Sequence, residues 1–400
     1  MMRRILTMLL LSAPAAALGF EAVDTLPFSS RFPAYEAPPE HPREFWAEAG
    51  FLRDNNVLRR PGGSADETIA RFGVGARTDT RVFGRQRLRL EANAYAYAFE
   101  RFPDLDHVAY GVLGEWGWEL GNRLSGRLGA GRRDYQTELS EIQAPVRDRI
   151  IAERFYGTAA YRVAPDWRLR GSLARETAER SRRALVDTEF NTATAGIDYV
   201  TPLGNALGLE ALAAEGDAPL GELIDPIGEF VNNDFRRREV AAVATYNPGA
   251  QLRFDGRIGR TRFQHSEVPE RDFEGSTWRL GAAWLPGYKT ILSLDVYKEI
   301  RTVLDYAASH ALVDGVSFGP SWAPTAKLVF SARLVRDVVE YQGDPAMREE
   351  TVRALRLAAG WEITRHMRLA AGLDRGERSS TFLGRDYEFT AWMANLRYQF

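Results

Sequence analysis

Alternation of apolar and polar residues with a period of two is the feature that most constrains the fold of this chain. In residues 86–99, Leu88, Leu90 and Ala92 share one face, whereas Arg87 and Arg89 lie on the other. This period is typical of a β-strand. Similar segments of about ten to fourteen residues follow one another from residue 44 to the end, as in barrels built from segments of this length. The sequence therefore predicts an all-β protein.

Short turns rich in Gly, Pro and Asn separate these segments, and they alternate with longer charged loops. The turns are predicted at 79–84, 121–122, 164–166, 201–205, 247–249, 285–287, 323–325 and 362–366. The loops are predicted at 57–66, 100–106, 134–147, 177–188, 215–233, 265–271, 300–310, 338–350 and 376–386. These connections predict about 18 strands with both ends on one side of a sheet. An even strand number and alternating short and long connections are typical of bacterial outer-membrane barrels.

Aromatic residues at the segment ends favour a membrane barrel over a soluble sandwich. They lie beside the predicted short turns, as a membrane-interface girdle requires: Trp118, Trp167, Tyr199, Tyr246, Trp284, Trp322 and Trp361. A β-propeller is disfavoured because the chain has no recurring blade motif. We therefore expect a single transmembrane antiparallel β-barrel over residues 44–400.

The amino-terminal residues indicate export. Residues 1–19 combine Arg3 and Arg4, an apolar run and the small residues 15–17, which is the pattern of a signal peptide. The Pro-rich residues 20–43 are interpreted as a periplasmic extension. The chain has no cysteine, so a disulfide framework is excluded. We expect the protein in the outer membrane of a Gram-negative bacterium after cleavage of the signal peptide.

The last strand resembles the terminal strand of bacterial outer-membrane barrels. Its alternating residues Trp392, Leu396 and Tyr398 lead to the aromatic carboxyl-terminal Phe400. The resemblance implies that these four residues form an assembly signal for the barrel assembly machinery. That machinery and outer-membrane lipid are therefore expected partners.

The sequence contains no arrangement typical of a catalytic or metal site. Its five histidines are scattered without ligand spacing, and residues 126–131 lack the helix that follows a phosphate-binding loop. Glu115 and Glu119 lie on one strand face, which a glycosidase would tolerate, but lumen-facing glutamates are the simpler interpretation. We expect no enzyme activity, no cofactor, no metal and no nucleic-acid partner.

Arginine recurs on the face opposite the apolar one, which would line the lumen. Of 52 basic residues only three are lysine. The predicted lumen contacts for an anion or polysaccharide are Arg71, Arg87, Arg89, Tyr95, Tyr97, Arg123, Arg127, Arg154, Arg168, Arg170, Arg253, Arg257, Arg279, Arg333 and Arg356. Acidic residues share this face, so ion pairing within the wall is the alternative. A surplus of arginine predicts a bore that attracts anions.

Seven stretches of sequence carry a family resemblance from about residue 50 onward, at residues 53–59, 84–90, 121–126, 164–169, 204–209, 233–236 and 320–328. In their order and spacing they resemble the EpsL-type outer-membrane barrels encoded with exosortase-associated exopolysaccharide biosynthesis clusters. The resemblance implies export of an exopolysaccharide, which would be the main partner. A separate periplasmic polysaccharide export or co-polymerase component would be a further partner. The resemblance supplies no catalytic motif.

The expected function is an outer-membrane pore that exports an extracellular, anionic polysaccharide. Two alternatives remain open at this stage. The first is a diffusion porin for small anionic solutes, because a bore of this strand number fits either cargo. The second is a structural or adhesion barrel at the cell surface, since residues 215–233 are long enough to bind a partner.

Overall fold

The computed structural model describes residues 43–63, 65–217, 222–224, 230–303, 308, 310–344 and 346–400. Its first half contains β1 Arg43–Asp54, β2 Glu67–Phe83, β3 Gln86–Phe99, β4 His107–Leu120, β5 Leu124–Gln136, β6 Arg149–Ala164, β7 Trp167–Arg180, β8 Thr188–Val200 and β9 Ala206–Asp217. Its second half contains β12 Phe235–Gly249, β13 Leu252–His265, β14 Phe273–Gly287, β15 Thr290–Thr302, β16 His310–Thr325, β17 Leu328–Tyr341, β18 Glu349–Glu362, β19 Met367–Ser380 and β20 Tyr387–Gln399.

These strands form one closed 18-stranded antiparallel sheet. The barrel closes because β1 pairs with β2 on one side and with β20 on the other. The backbone N–H of Phe400 adds a hydrogen bond of 2.8 Å to the carbonyl of Phe45. The predicted antiparallel β-barrel of about 18 strands is confirmed.

The long connections carry the remaining elements. Strands β10 Glu222–Ile224 and β11 Phe230–Asn232 pair as a small hairpin between β9 and β12. A helical turn, α1 Leu139–Ile142, follows β5, and 3-10 turns occupy Pro103–Leu105, Ala184–Val186 and Pro269–Arg271. None of the helices in the described part of the chain is long and apolar enough to span a membrane.

The two faces of the wall differ as the alternation predicts. Phe72 and Leu173 point outward and are 61% and 67% exposed, although both are large apolar side chains. The inward face instead buries charged residues such as Glu48, Arg71 and Glu210. Large outward apolar side chains need lipid rather than water around them. The lumen therefore has the polar lining and the outer surface has the apolar band.

The predicted turn at 79–84 is wrong in extent, because β2 continues to Phe83 and only Gly84 and Arg85 form the reversal. Gly84 has a φ of 54°, which glycine adopts without steric cost. Asp79 is held in the strand by Arg87, whose Nη2 donates to Oδ2 over 2.6 Å. The predicted turns at 247–249 and 285–287 are likewise strand ends with a shifted register.

The predicted signal peptide, residues 1–19, lies outside the described residues, as does the predicted extension 20–43 except for its last residue. The described barrel begins at Arg43, one residue before the predicted boundary. The short turns and both barrel ends lie at one rim, and the long loops lie at the other. In barrels of this class these are the periplasmic and the extracellular rims, respectively.

Candidate functional site: the charged lumen

Ion pairs cover most of the lumen wall. Among the thirteen arginines predicted for the lumen, all except Arg123 and Arg333 contact a carboxylate. These contacts include Arg127–Glu115 at 3.8 Å, Arg154–Glu176 at 3.1 Å, Arg168–Asp198 at 2.8 Å, Arg253–Asp255 at 2.7 Å, Arg279–Glu299 at 3.1 Å and Arg356–Asp374 at 2.8 Å. Arg71 pairs with Glu48, Arg87 with Asp79, and Arg89 with Glu91. The predicted residues thus line the lumen, but largely as a paired wall.

One network of ion pairs joins β7, β8, β9, β12 and β13. Glu210, which is 5% exposed, accepts hydrogen bonds from both Arg170 and Arg257. Arg170 also lies 3.0 Å from Asp198, and Arg257 lies 2.6 Å from Glu239. Each carboxylate therefore neutralises a neighbouring guanidinium, and this part of the wall offers little free charge to a solute.

Tyrosine side chains lie against the arginines of the wall. The guanidinium carbon of Arg71 is 4.1 Å from the ring centre of Tyr95, and that of Arg279 is 4.8 Å from Tyr297. Contacts of this geometry are cation–π interactions. Tyr97 stacks on His107 at 4.8 Å. Tyr95 and Tyr97 therefore lie at the lumen, as predicted.

Three lumen arginines differ from the others. Within the described residues, the side chains of Arg123, Arg162 and Arg333 form no hydrogen bond or ion pair, and all three are exposed. Arg162 lies directly opposite Arg168 in the register, and Arg333 lies opposite Arg356. Like charges at opposed positions repel each other unless an anion lies between them. These positions supply fixed positive charge in the periplasmic half of the bore.

The loop of residues 137–148 leans over the extracellular opening. Gln143 donates from Nε2 to the carbonyl of Arg59 at 2.8 Å, and Arg60 donates from Nε to the carbonyl of Gln143 at 2.6 Å. Leu139 packs on an apolar cluster that includes Leu58. The loop after β5 thus reaches past the ends of β2, β3 and β4 and contacts the loop that joins β1 to β2.

The two carboxyl groups at the ends of this loop, Glu138 and Asp148, have pKa values shifted in opposite directions. Burial raises the pKa of the Glu138 carboxyl above its usual range, and the Glu141 carboxylate raises it further, against the opposing effect of Arg59 and Arg378. At Asp148 burial alone would raise the pKa. Hydrogen bonds from the Arg183 guanidinium at 2.8 Å and the Arg182 N–H at 2.9 Å outweigh it and lower that pKa.

Sequence analysis missed two features of the mouth, the contacts of loop 137–148 and an aromatic cluster at the opposite side. Phe235 and Phe263 stack at 4.3 Å, and His310 stacks on Phe263 at 4.2 Å. The structure also brings His265 within 5.8 Å of His310, although these histidines are far apart in the sequence. Among the described residues no group of side chains is arranged to hold a metal ion.

The predicted assembly signal lies on the outer surface. Trp392, Leu396, Tyr398 and Phe400 are 58%, 39%, 43% and 67% exposed, respectively. Their side chains face lipid in a membrane, beside the seam between β20 and β1. This placement leaves them accessible during insertion, and their role as a signal stays a prediction.

Comparison with protein-family models gives no match, and no curated protein matches the chain. Solved structures do match. Pseudomonas aeruginosa OccK2 (OpdF) in complex with glucuronate is 14% identical and has a TM-score of 0.51, with 89% of this chain and 97% of that chain covered.

Pseudomonas aeruginosa OpdK with vanillate is 10% identical, with 90% and 99% covered and a TM-score of 0.51. A BenF-like porin from Pseudomonas fluorescens Pf-5 is 9% identical, with 91% and 100% covered and a TM-score of 0.51. At these identities the likeness concerns the fold. The chain is an outer-membrane β-barrel with a porin-like architecture.

Proposed function

We propose that this barrel is a passive, non-enzymatic channel for small anionic solutes. The observation that carries the proposal is the set of exposed lumen arginines without a carboxylate contact, Arg123, Arg162 and Arg333, within a wall that is largely ion-paired. A few fixed positive charges attract an anion without holding it tightly, which conduction requires. Neighbouring structures hold glucuronate and vanillate, both of which are small carboxylates.

Loop 137–148 favours a small solute over a polymer. It is held to the loop after β1 by two hydrogen bonds and to the loop after β7 through Asp148 and Arg183. A mouth narrowed by an anchored loop admits small molecules more readily than a continuous chain of sugars. The alternative of a diffusion porin is therefore the better supported function.

Export of an anionic exopolysaccharide is the second candidate. It is supported by the resemblance to EpsL-type barrels and by Arg–Tyr contacts such as Arg279–Tyr297, which suit sugar rings. This candidate requires loop 137–148 to move away from the mouth. Diffusion of small anions can therefore proceed with loop 137–148 in its present position, whereas polymer export cannot.

Planar-bilayer recording tests the proposal. We expect the wild-type channel to prefer chloride over potassium and to conduct glucuronate. Arg123→Gln, Arg162→Gln and Arg333→Gln together should lower the anion preference. High salt should lower it as well, because the screening length falls to about 3 Å at 1 M. The matched control is Arg336→Gln with Arg353→Gln and Arg375→Gln, which removes the same charge from the outer surface.

Cation preference in the wild type, or equal effects of the two triple variants, would contradict a lumen-controlled anion channel.

Deletion of the gene separates the two candidate functions. Loss of extracellular polysaccharide with normal uptake of small carboxylates would instead support polymer export.

A further inference from the structure

The outer wall of β16–β19 has a shallow depression of about 380 Å³. Its apolar part is formed by outward side chains of three neighbouring strands, Val316 and Phe318 of β16, Leu334 of β17 and Leu355 of β18. Phe318 lies opposite Leu334, and Leu334 lies opposite Leu355 in the register. These residues therefore form a continuous apolar row on the lipid-facing surface.

Three arginines border this row. Arg336 and Arg353 are direct cross-strand partners, and Arg375 lies opposite Leu355. Arg353 is 3.3 Å from Glu377, whereas the side chains of Arg336 and Arg375 have no hydrogen bond or ion pair with any described residue. Three guanidiniums and one carboxylate leave a local charge of 3 − 1 = +2.

The arginines lie where the outward face changes from apolar to charged. Along β17 the outward residues Phe330, Ala332 and Leu334 precede Arg336, and the chain runs toward the long extracellular loop. Arg336 is eight positions beyond Leu328, the first residue of β17. This distance is about 26 Å along a strand and about 20 Å along the membrane normal at a usual tilt. An apolar band is about 25 Å tall, so the backbone of Arg336 lies about 5 Å below its outer edge, and the long arginine side chain reaches the headgroup level.

We propose that this depression binds a phosphate-bearing, acylated lipid of the outer leaflet. Its acyl chain covers Phe318, Leu334 and Leu355, and its phosphate accepts hydrogen bonds from Arg336, Arg353 and Arg375. Guanidinium groups match phosphate oxygens in geometry and charge. The apolar row beside the charges selects a lipid over a free anion in water. The proposal rests on the fold and the membrane location, and it is independent of the solute that crosses the lumen.

Native mass spectrometry of the full barrel in detergent tests the site. The probes are phosphorylated lipid A and the same lipid after removal of its phosphates. We expect wild type to retain the phosphorylated form at least about tenfold more strongly, because hydrogen bonds to a charged group are stronger than those between neutral groups. The triple variant Arg336→Gln, Arg353→Gln and Arg375→Gln should lose this preference.

The matched control is the lumen variant Arg123→Gln, Arg162→Gln and Arg333→Gln, which carries the same change of charge and should retain the lipid. Equal loss in both variants would show that net charge, rather than the depression, holds the lipid. Equal retention of the two lipids by wild type would overturn the phosphate contact, and that comparison needs no variant to fold. The two proposals can fail separately. The lumen variant tests the channel proposal through anion selectivity, whereas the variant of the depression tests the lipid site through lipid retention.

Discussion

At the residue scale, we expect the stability of the barrel to depend strongly on the buried pair Arg71–Glu48, because removal of one partner leaves the other charge buried alone. Their side chains are 3% and 2% exposed, and Arg71 also lies over Tyr95. Arg71→Gln leaves the Glu48 carboxylate buried without its counter-charge. We expect the free energy of unfolding to fall by about 3–5 kcal/mol. The measurement is a urea titration of the refolded barrel in detergent micelles.

Two controls separate loss of the charge pair from loss of side-chain volume. Arg162→Gln removes an exposed lumen arginine without a carboxylate contact and should change stability by less than about 0.5 kcal/mol. Arg71→Met with Glu48→Leu removes both charges and should recover most of the loss, since apolar replacements of a buried pair are often neutral. If Arg71→Gln were as stable as the double variant, the charge pair would not determine the stability of the barrel.

The sequence predicted which face each lumen residue occupies, but not which carboxylate it contacts. Arg89 lies on the inward face of β3 because a period of two leaves no other choice once Leu88 and Leu90 face lipid. In contrast, Arg170 meets Glu210 across 40 positions of sequence. Such a pairing depends on the register of three strands, which alternation within one strand does not determine.

At the element scale, aromatic rings lie flat over glycines of the neighbouring strand. A Cβ atom on Gly129 would lie 2.3 Å from Cζ of Tyr156, whose hydroxyl donates to Glu115 at 2.5 Å. Gly129→Ala should push the ring into the bore, lower single-channel conductance and cost about 1–3 kcal/mol by overpacking. Gly249→Ala is the matched control because no atom lies within 4 Å of its added Cβ. Unchanged conductance in Gly129→Ala would contradict a ring held flat by glycine.

Loop 137–148 should make selectivity depend on pH through Glu138. Its raised pKa means that the folded protein binds a proton at a pH where a free glutamate is already ionised. Stability from this group therefore falls as pH rises between the ordinary and the raised pKa. Acidification through this interval removes a negative charge that faces Glu141, Arg59 and Arg378.

We expect anion preference in planar bilayers to increase on acidification, starting at a pH above the usual pKa of glutamate. Glu138→Gln should remove this step and show the higher preference at neutral pH. Glu153→Gln serves as a control, since Glu153 lies on the outward face of β6 beside Arg132. A pH step that persists in Glu138→Gln would assign it to another group.

The position of loop 137–148 could not be predicted from its composition. The sequence marked 134–147 as a charged loop, but its contacts with Arg59, Arg60 and Gly384 join loops that are distant along the chain. Strand segments carry a periodic signal, whereas loop contacts depend on how far the barrel curvature brings two loops together. The contacts of loop 137–148 were therefore the part that sequence analysis missed.

At the scale of the whole molecule, the strand number was predictable because each turn and loop interrupts the alternation. The even number of strands predicted both ends at one rim, and the structure shows that the barrel closes through the pairing of β1 with β20. The identity of the solute does not follow from the same signals. Strand number determines the width of the bore, whereas under the proposed function the selectivity depends on which arginines lack a carboxylate contact.

The carboxyl-terminal Phe400 should affect assembly more than stability. Its side chain is 67% exposed on the outer surface, and its backbone contributes one hydrogen bond to Phe45 at the seam. Deletion therefore removes about 1 kcal/mol of net hydrogen bonding from a barrel still closed by the pairing of β1 with β20. We expect near-normal refolding into detergent in vitro but a large fall in outer-membrane protein in cells. Phe400→Tyr should restore the cellular level because it keeps a terminal aromatic side chain. Equal losses in both assays would show that Phe400 acts through the stability of the seam and would remove the case for an assembly signal.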